Sequence, residues 1–143
     1  EYNTAIDIKA AQVIFNHSNI KLWQVPRSAY RQTLVTSSEL ALRVKPYGKI
    51  GKYLVDKIDF LLQMMGSESY ILGDNPLVLL TALQSIYEAD TSSSDYQLRQ
   101  SPWMNEEGIY EVNRDGRIIK VYTKLDTRLM FEDLFSKLKL RYQ

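Results

Sequence analysis

The sequence predicts an α/β fold, in which helices and strands alternate along the chain. Ile20 to Val25 alternates apolar and polar residues with a period of two and ends before Pro26, which is typical of a strand. Just upstream, Ile8 to Phe15 places apolar residues on one side of a helix that Asp7 would cap. A helix followed by such a strand is half of an α/β crossover unit.

Two helices are predicted in the segment that follows. Thr36 to Glu39 places hydroxyl groups ahead of a glutamate, which resembles a capping box at the start of a helix. From Ile50 to Met65 the apolar residues recur at helical spacing, and Gly66 ends that run. Glycines 48 and 51 match no phosphate-binding loop, so we interpret them as turn and helix-start residues.

The rest of the chain predicts a fourth helix, a hairpin and a final helix. Pro76 follows Asp74 and Asn75 and precedes an apolar run, and proline is favoured in the first turn of a helix. The stretches 109–112 and 117–122 flank Asn113-Arg114-Asp115-Gly116, a strong signal for a β-hairpin. Asp126 or Thr127 can cap the last helix.

Composition excludes several classes of function. The chain has 143 residues, a formal net charge of +1 and no cysteine. The balanced charge gives no electrostatic case for binding nucleic acid. No apolar run approaches the roughly 18 residues that span a bilayer. The lack of cysteine excludes a disulfide framework and fits a reducing compartment, so we expect a cytoplasmic protein without a membrane or nucleic-acid partner.

The sequence contains few candidates for catalysis or for ligand binding. His17 is the only histidine, and we interpret it as a surface residue at a helix end. Ser92 to Ser94 lack the context of a nucleophile elbow. Tyr30 follows a predicted strand end, where ligands commonly bind in α/β sheets, although from its position alone we favour a packing role for it. Asp74 is either a helix cap or a carboxylate held in a fixed direction for a cation or a polar substrate.

The order of these segments resembles the C-terminal half of the inosine-uridine nucleoside hydrolase family. The resemblance rests on Glu1-Tyr2-Asn3, the segment from Asp7 to Phe15, the Leu22-to-Arg27 strand, Leu72-Gly73-Asp74 before a helix, and the ending from Val121 to the last helix. It covers essentially the whole chain but only about half of a typical member. It implies that residues 1–143 form the C-terminal portion of a single domain, built on an open sheet with flanking helices and a late β-hairpin.

The resemblance also implies a reaction. Family members hydrolyse the N-glycosidic bond of ribonucleosides with a bound calcium ion, which orients a water molecule and holds the ribose hydroxyl groups. Glu1 and Asn3 match the family's pair that binds ribose, and Asp74 matches its late calcium ligand. Hard cations of this kind prefer carboxylate and carbonyl oxygens, so the residue types are compatible with these roles.

The chain departs from the family pattern at two points. The aspartate cluster that supplies the other calcium ligands and the general base is absent, so hydrolysis would require an N-terminal portion of the same protein as a partner. Many members also have a histidine before the late aspartate, as the acid for the leaving group, and here that position is Gly73. Tyr30 or Arg31 could line that region instead.

Three functions therefore stay open at this point. The first is a calcium-dependent hydrolase of ribonucleosides, complete only with the N-terminal portion. The second is a non-catalytic protein of the same fold that binds a nucleoside or another ribosylated ligand. The third is a structural or interaction domain. Members of the family often form homo-oligomers, but the sequence locates no interface.

Overall fold

The computed structural model describes residues 2–83 and 93–142, in which helices and strands are mixed, so the α/β class is confirmed at that coarse level. The helices are α1 (Tyr2–Ile6), α2 (Ile8–Gln12), α3 (Arg27–Tyr30), α4 (Ser37–Arg43), α5 (Gly48–Met65), α6 (Asn75–Ala82) and α7 (Thr127–Arg141), with a π-helical turn at Val13–His17. The strands are β1 (Trp23–Gln24), β2 (Leu34–Thr36), β3 (Ser69–Ile71), β4 (Asp95–Gln100), β5 (Trp103–Met104), β6 (Tyr110–Glu111) and β7 (Ile118–Lys124).

The chain divides into two compact units. The first unit contains residues 2–25 and 96–122, and the second contains residues 26–83, 93–95 and 123–142. Each unit is assembled from segments that are far apart in sequence. The chain therefore passes from the first unit into the second, returns to the first at residue 96, and enters the second again at residue 123.

The first unit is built around a three-stranded sheet in the order β1–β7–β4. β1 and β7 run parallel, with Trp23 opposite Lys120. β4 runs opposite to β7, because the Tyr96 and Tyr122 rings meet at one end while the Ser101 N–H donates to the Arg117 carbonyl at the other. Buried residues of this unit include Met104, Ile119 and Tyr122.

The predicted late hairpin between residues 109–112 and 117–122 is wrong. The turn itself forms, since the Asn113 carboxamide accepts from the Asp115 N–H, but its two flanks pair elsewhere. β6 pairs with β5, and β7 joins the three-stranded sheet. Pairing with β1 and β4 places Ile119 and Tyr122 in the core, and this burial outweighs the local turn signal.

The second unit has its core between helices and a short antiparallel ribbon. β2 and β3 pair with Val35 opposite Tyr70. The central cluster of buried apolar side chains draws on β2, α4, α5 and α7 and consists of Val35, Leu40, Val44, Val55 and Phe135. Within the described ranges, no helix combines the length and apolar character that crossing a bilayer requires.

Local signals for helix ends are confirmed at several places. The Asp7 carboxylate accepts from the Ala10 N–H at 2.9 Å, and the Thr36 hydroxyl accepts from the Glu39 N–H at 3.1 Å. Asp126 caps α7 by accepting from the Leu129 N–H at 2.8 Å. Gly66 ends α5 in the left-handed conformation, with φ of 61°, where glycine carries no steric penalty.

Candidate functional site

Asp74 lies between β3 and α6, at the N-cap position of that helix. Its side chain is exposed and accepts no capping hydrogen bond from the first turn. The start of the helix is instead stabilised by a backbone hydrogen bond, in which the Leu77 N–H donates to the Asp74 carbonyl at 3.1 Å. The carboxylate therefore remains available to a group outside the helix.

The helix that follows Asp74 is anchored by its buried residues. Pro76 occupies the first turn, and Pro76, Leu79 and Leu80 are buried. Burial on this scale contributes roughly 1.5–3 kcal/mol for each large aliphatic side chain. This anchoring fixes the position of the helix start and hence of Asp74.

Thr33 connects the Asp74 segment to the turn that carries Tyr30. The Leu72 N–H donates to the Thr33 carbonyl at 3.0 Å, which extends the β2–β3 ladder by one bond. The Thr33 N–H and hydroxyl both donate to the Tyr30 carbonyl, at 3.0 Å and 2.7 Å. Thr33 is fully buried, so these bonds hold the two segments side by side.

Tyr30 packs directly against Gly73. A Cβ atom built on Gly73 would lie 3.3 Å from Cδ2 of the Tyr30 ring, which is tighter than ordinary contact. The ring thus occupies space into which a side chain at position 73 would project. The Tyr30 ring therefore contacts the residue that directly precedes Asp74 in the chain.

The other predicted site residues are exposed or lie outside the described residues. Arg31 follows α3 and is exposed, with only its backbone N–H engaged in the turn. Asn3 is exposed on α1 in the first unit, whereas Tyr30, Arg31 and Asp74 belong to the second. Glu1 lies outside the described residues.

Asp74 is the carboxylate that the resemblance relates to a calcium ion. Calcium takes six to eight oxygen ligands, commonly from several carboxylates. Among residues 2–83 and 93–142, no three acidic, histidine or cysteine side chains converge. Asp74 is therefore not part of such a cluster among the described residues.

The structure adds Thr33 to the residues that shape this site. No motif marks Thr33 in the sequence, since a single threonine between Gln32 and Leu34 has no distinctive pattern. Its role follows from two backbone segments that meet only in the folded chain. What the arrangement offers chemically is a carboxylate and a phenol ring that flank a residue without a side chain.

Comparisons with known proteins do not extend this description. No family model matches the chain, and neither the curated proteins nor the solved structures include a match. The relation to nucleoside hydrolases therefore stays a prediction from the residues.

Proposed function

We propose that this chain forms the C-terminal part of a hydrolase that cleaves the N-glycosidic bond of ribonucleosides to ribose and free base. The observation that carries the proposal is the contact of Tyr30 with Gly73, immediately before Asp74. It joins a candidate metal ligand to a candidate proton donor at the position where many family members have a histidine.

In this proposal Asp74 supplies one carboxylate to the metal site. The remaining ligands and the general base would come from an N-terminal portion of the same protein that carries the acidic cluster. A calcium ion bound there would make a water easier to deprotonate and would hold the ribose hydroxyl groups. Asp74 is suited to this role because its carboxylate is not engaged in capping α6.

Asn3, with Glu1, would hydrogen-bond the ribose hydroxyl groups. A carboxamide both donates and accepts, and a carboxylate accepts, so the pair can meet vicinal hydroxyls with complementary groups. Such bonds contribute to catalysis to the extent that they strengthen in the transition state. The exposed position of Asn3 on α1 is compatible with this role.

Tyr30 would assist departure of the base. A base that leaves the sugar accumulates negative charge, which a proton donor or a cation can relieve. The Tyr30 ring fills the space beside Gly73, whereas Arg31 is exposed beyond the end of α3. The contact with Gly73 therefore favours Tyr30 over Arg31.

Replacing Asp74 tests the metal-binding role. In the full-length product of the gene that encodes this chain, Asp74→Asn should lower calcium-dependent ribose release by about 100-fold or more, since loss of a ligand removes several kcal/mol of stabilisation. Calorimetry should show weaker calcium binding in the same variant. Asp115→Asn, at an exposed aspartate in a turn, serves as the matched control and should change neither quantity.

Replacing Tyr30 tests the assignment of the leaving-group residue. Tyr30→Phe keeps the ring against Gly73 but removes the hydroxyl, so kcat should fall by roughly 10²-fold or more while KM changes little. Arg31→Ala is the comparison, and a larger loss of kcat in that variant would reassign the role to Arg31.

A second candidate function is favoured by Gly73 itself. Because this position lacks the histidine of many family members, the protein could bind a nucleoside without cleaving it. Calorimetry with inosine, uridine and free ribose, combined with a ribose-release assay, separates the two functions. Saturable binding without turnover in the full-length protein would replace the hydrolase by a binding protein, and absence of both would leave a structural domain.

A further inference from the structure

The turn between β6 and β7 contains the only Asp-Gly pair of the sequence, Asp115-Gly116. Residues 112–117 lie outside the strands, and the two flanks of the turn pair elsewhere, β6 with β5 and β7 with β1 and β4. In a hairpin, the ladder between the two flanks would restrain the residues of the turn. Here that ladder is missing, so the backbone around Asp115 is held by fewer hydrogen bonds.

The Asp115 carboxylate is free within the described part of the chain. Asp115 is exposed, and its backbone N–H donates to the Asn113 carboxamide oxygen at 3.2 Å. Among residues 2–83 and 93–142, none forms a hydrogen bond or an ion pair with the carboxylate itself. By contrast, the carboxylates of Asp7 and Asp126 each accept from the N–H three residues further along. The Asp115 side chain can therefore turn toward the residue that follows it.

The backbone nitrogen of Gly116 is weakly engaged and unshielded. Its N–H donates to the Asn113 carbonyl at 3.4 Å, which is longer than the roughly 2.7–3.2 Å of a normal N–H···O bond. Glycine has no Cβ atom that could shield this nitrogen from the preceding side chain. The fold requires glycine here, because a Cβ atom at position 116 would lie 2.1 Å from the Ser101 carbonyl oxygen. Packing against Ser101 therefore keeps an accessible nitrogen next to a free carboxyl group.

We propose that Asp115 is a site of spontaneous covalent modification, at which aspartate isomerises to isoaspartate in the folded protein. The Gly116 nitrogen attacks Cγ of Asp115 and forms a C–N bond, while the carboxyl hydroxyl group and the amide proton leave together as water. The product is a cyclic imide (succinimide).

The second step is hydrolysis of the imide by solvent water. Water that cleaves the bond between the nitrogen and the original main-chain carbonyl carbon leaves Gly116 attached through Cγ of Asp115, which is isoaspartate. Cleavage of the other C–N bond restores aspartate. The water lost in the first step is regained in the second, so the isomerised protein has the mass of the original.

The modification acts where the turn packs closely on the first unit. The isoaspartyl linkage adds one main-chain bond of about 1.5 Å directly before Gly116. Ser101 is buried, and its N–H donates to the Arg117 carbonyl at 2.8 Å. The Arg117 guanidinium donates in turn to the Ile14 and Phe15 carbonyls, at 2.7 Å and 3.1 Å. Displacement of Gly116 should therefore weaken these contacts and lower the stability of the protein.

The first test measures isoaspartate after prolonged incubation of the folded protein at neutral pH. In a digest, an isoaspartyl peptide elutes apart from its aspartyl form at the same mass. The peptide with Asp115 should contain at least about tenfold more isoaspartate than those with Asp7 or Asp126, because only Asp115 combines a free carboxylate with a following residue that lacks a Cβ atom. An isoaspartate content at Asp115 no higher than at Asp126 would overturn the proposal.

The same protein in urea gives the rate for the unfolded chain. The folded rate should lie within about tenfold of it, because no ladder restrains the turn. A folded rate that is lower by more than this factor would also overturn the proposal. Asp115→Glu is the matched variant. It would have to close a larger ring, so it should accumulate no isomer, and circular dichroism checks that it is folded.

The second test measures the structural consequence. Wild type and Asp115→Glu are incubated in parallel and then unfolded with urea. The incubated wild type should contain a fraction that unfolds at lower urea concentration and grows with the isoaspartate content, whereas Asp115→Glu should keep a single unchanged transition. An isomerised fraction that unfolds at the same urea concentration as fresh protein would overturn the inferred link between the turn and the contacts of Ser101.

Discussion

At the scale of single residues, Asp126 shows how a carboxylate acquires a purely structural role. It accepts hydrogen bonds from the Ser93 hydroxyl and from the Leu129 N–H, while its own N–H donates to the Ser94 hydroxyl oxygen at 2.9 Å. The Ser93 hydroxyl is the main cause that lowers the pKa of Asp126, and the bond from Leu129 acts in the same direction. The interpretation of Asp126 as a helix cap is confirmed.

This environment predicts how stability depends on pH. Because the folded-state pKa of Asp126 is lowered, its contribution is fully present above the unfolded value of about 3.9 and is lost as pH falls through the folded value. Asp126→Asn keeps an acceptor for Leu129 but cannot ionise, so near pH 7 it should lower the free energy of unfolding by about 0.5–1 kcal/mol.

Denaturant unfolding of both proteins from pH 7 to pH 3 checks this prediction. The difference between wild type and Asp126→Asn should shrink once the pH falls below about 4. A difference that stays constant over this range would contradict the role of the ionised carboxylate. Asp115→Asn, in an exposed turn, provides the baseline for removal of an aspartate without a capping role.

At the scale of elements, the contact between α4 and α5 depends on Gly51. This residue is buried, and a Cβ atom on it would lie 2.1 Å from the Val44 carbonyl oxygen. The two helices can approach so closely only because position 51 has no side chain. The prediction that Gly51 lies at the start of a helix is confirmed, since Gly51 is in the first turn of α5. Its close approach to Val44 could not be predicted from the sequence, because the two residues meet through the packing of α4 against α5.

Gly51→Ala should therefore destabilise the protein, against the usual effect of this substitution. In an exposed helix, alanine is favoured over glycine by about 1 kcal/mol. Here the clash with Val44 forces α4 and α5 apart, and we expect a net loss of roughly 1–3 kcal/mol. Chemical denaturation measures it, with the exposed Gln63→Ala as a control that should be neutral or slightly stabilising.

At the scale of the whole molecule, both units leave many large apolar side chains exposed. Ile6 and Val13 of the first unit are 67% and 55% exposed, and Phe60 and Met64 of the second are 59% and 71% exposed. Apolar atoms contribute more than half of the accessible surface of an ordinary folded protein, so exposed apolar side chains alone identify no interface.

The predicted site residues are divided between the two units. Tyr30, Gly73 and Asp74 come together within the second unit, while the predicted ribose-binding Asn3 belongs to the first. The acidic cluster that the proposed reaction would require is not in this sequence. The proposed hydrolysis is therefore expected only in a protein that carries this chain together with such a cluster.

The sequence by itself determined the features that depend on residues close together in the chain. Asp7, Thr36 and Asp126 cap helices through N–H groups three residues away, and Gly66 ends α5 through its own backbone conformation. These interactions are local, so the pattern that encodes them can be read directly. The class of the fold and the existence of the longer helices follow from the same periodic signals.

The tertiary structure decided which distant segments meet. β7 pairs with β1 rather than with its neighbour across the turn, and the Tyr30 ring packs on Gly73. Such choices depend on how much apolar surface the alternative pairings bury, and that quantity is a property of the whole fold. The sequence could identify Tyr30 and Asp74 separately, but the hydrogen bonds of Thr33 with Leu72 and Tyr30, and the contact of the Tyr30 ring with Gly73, are properties of the folded chain.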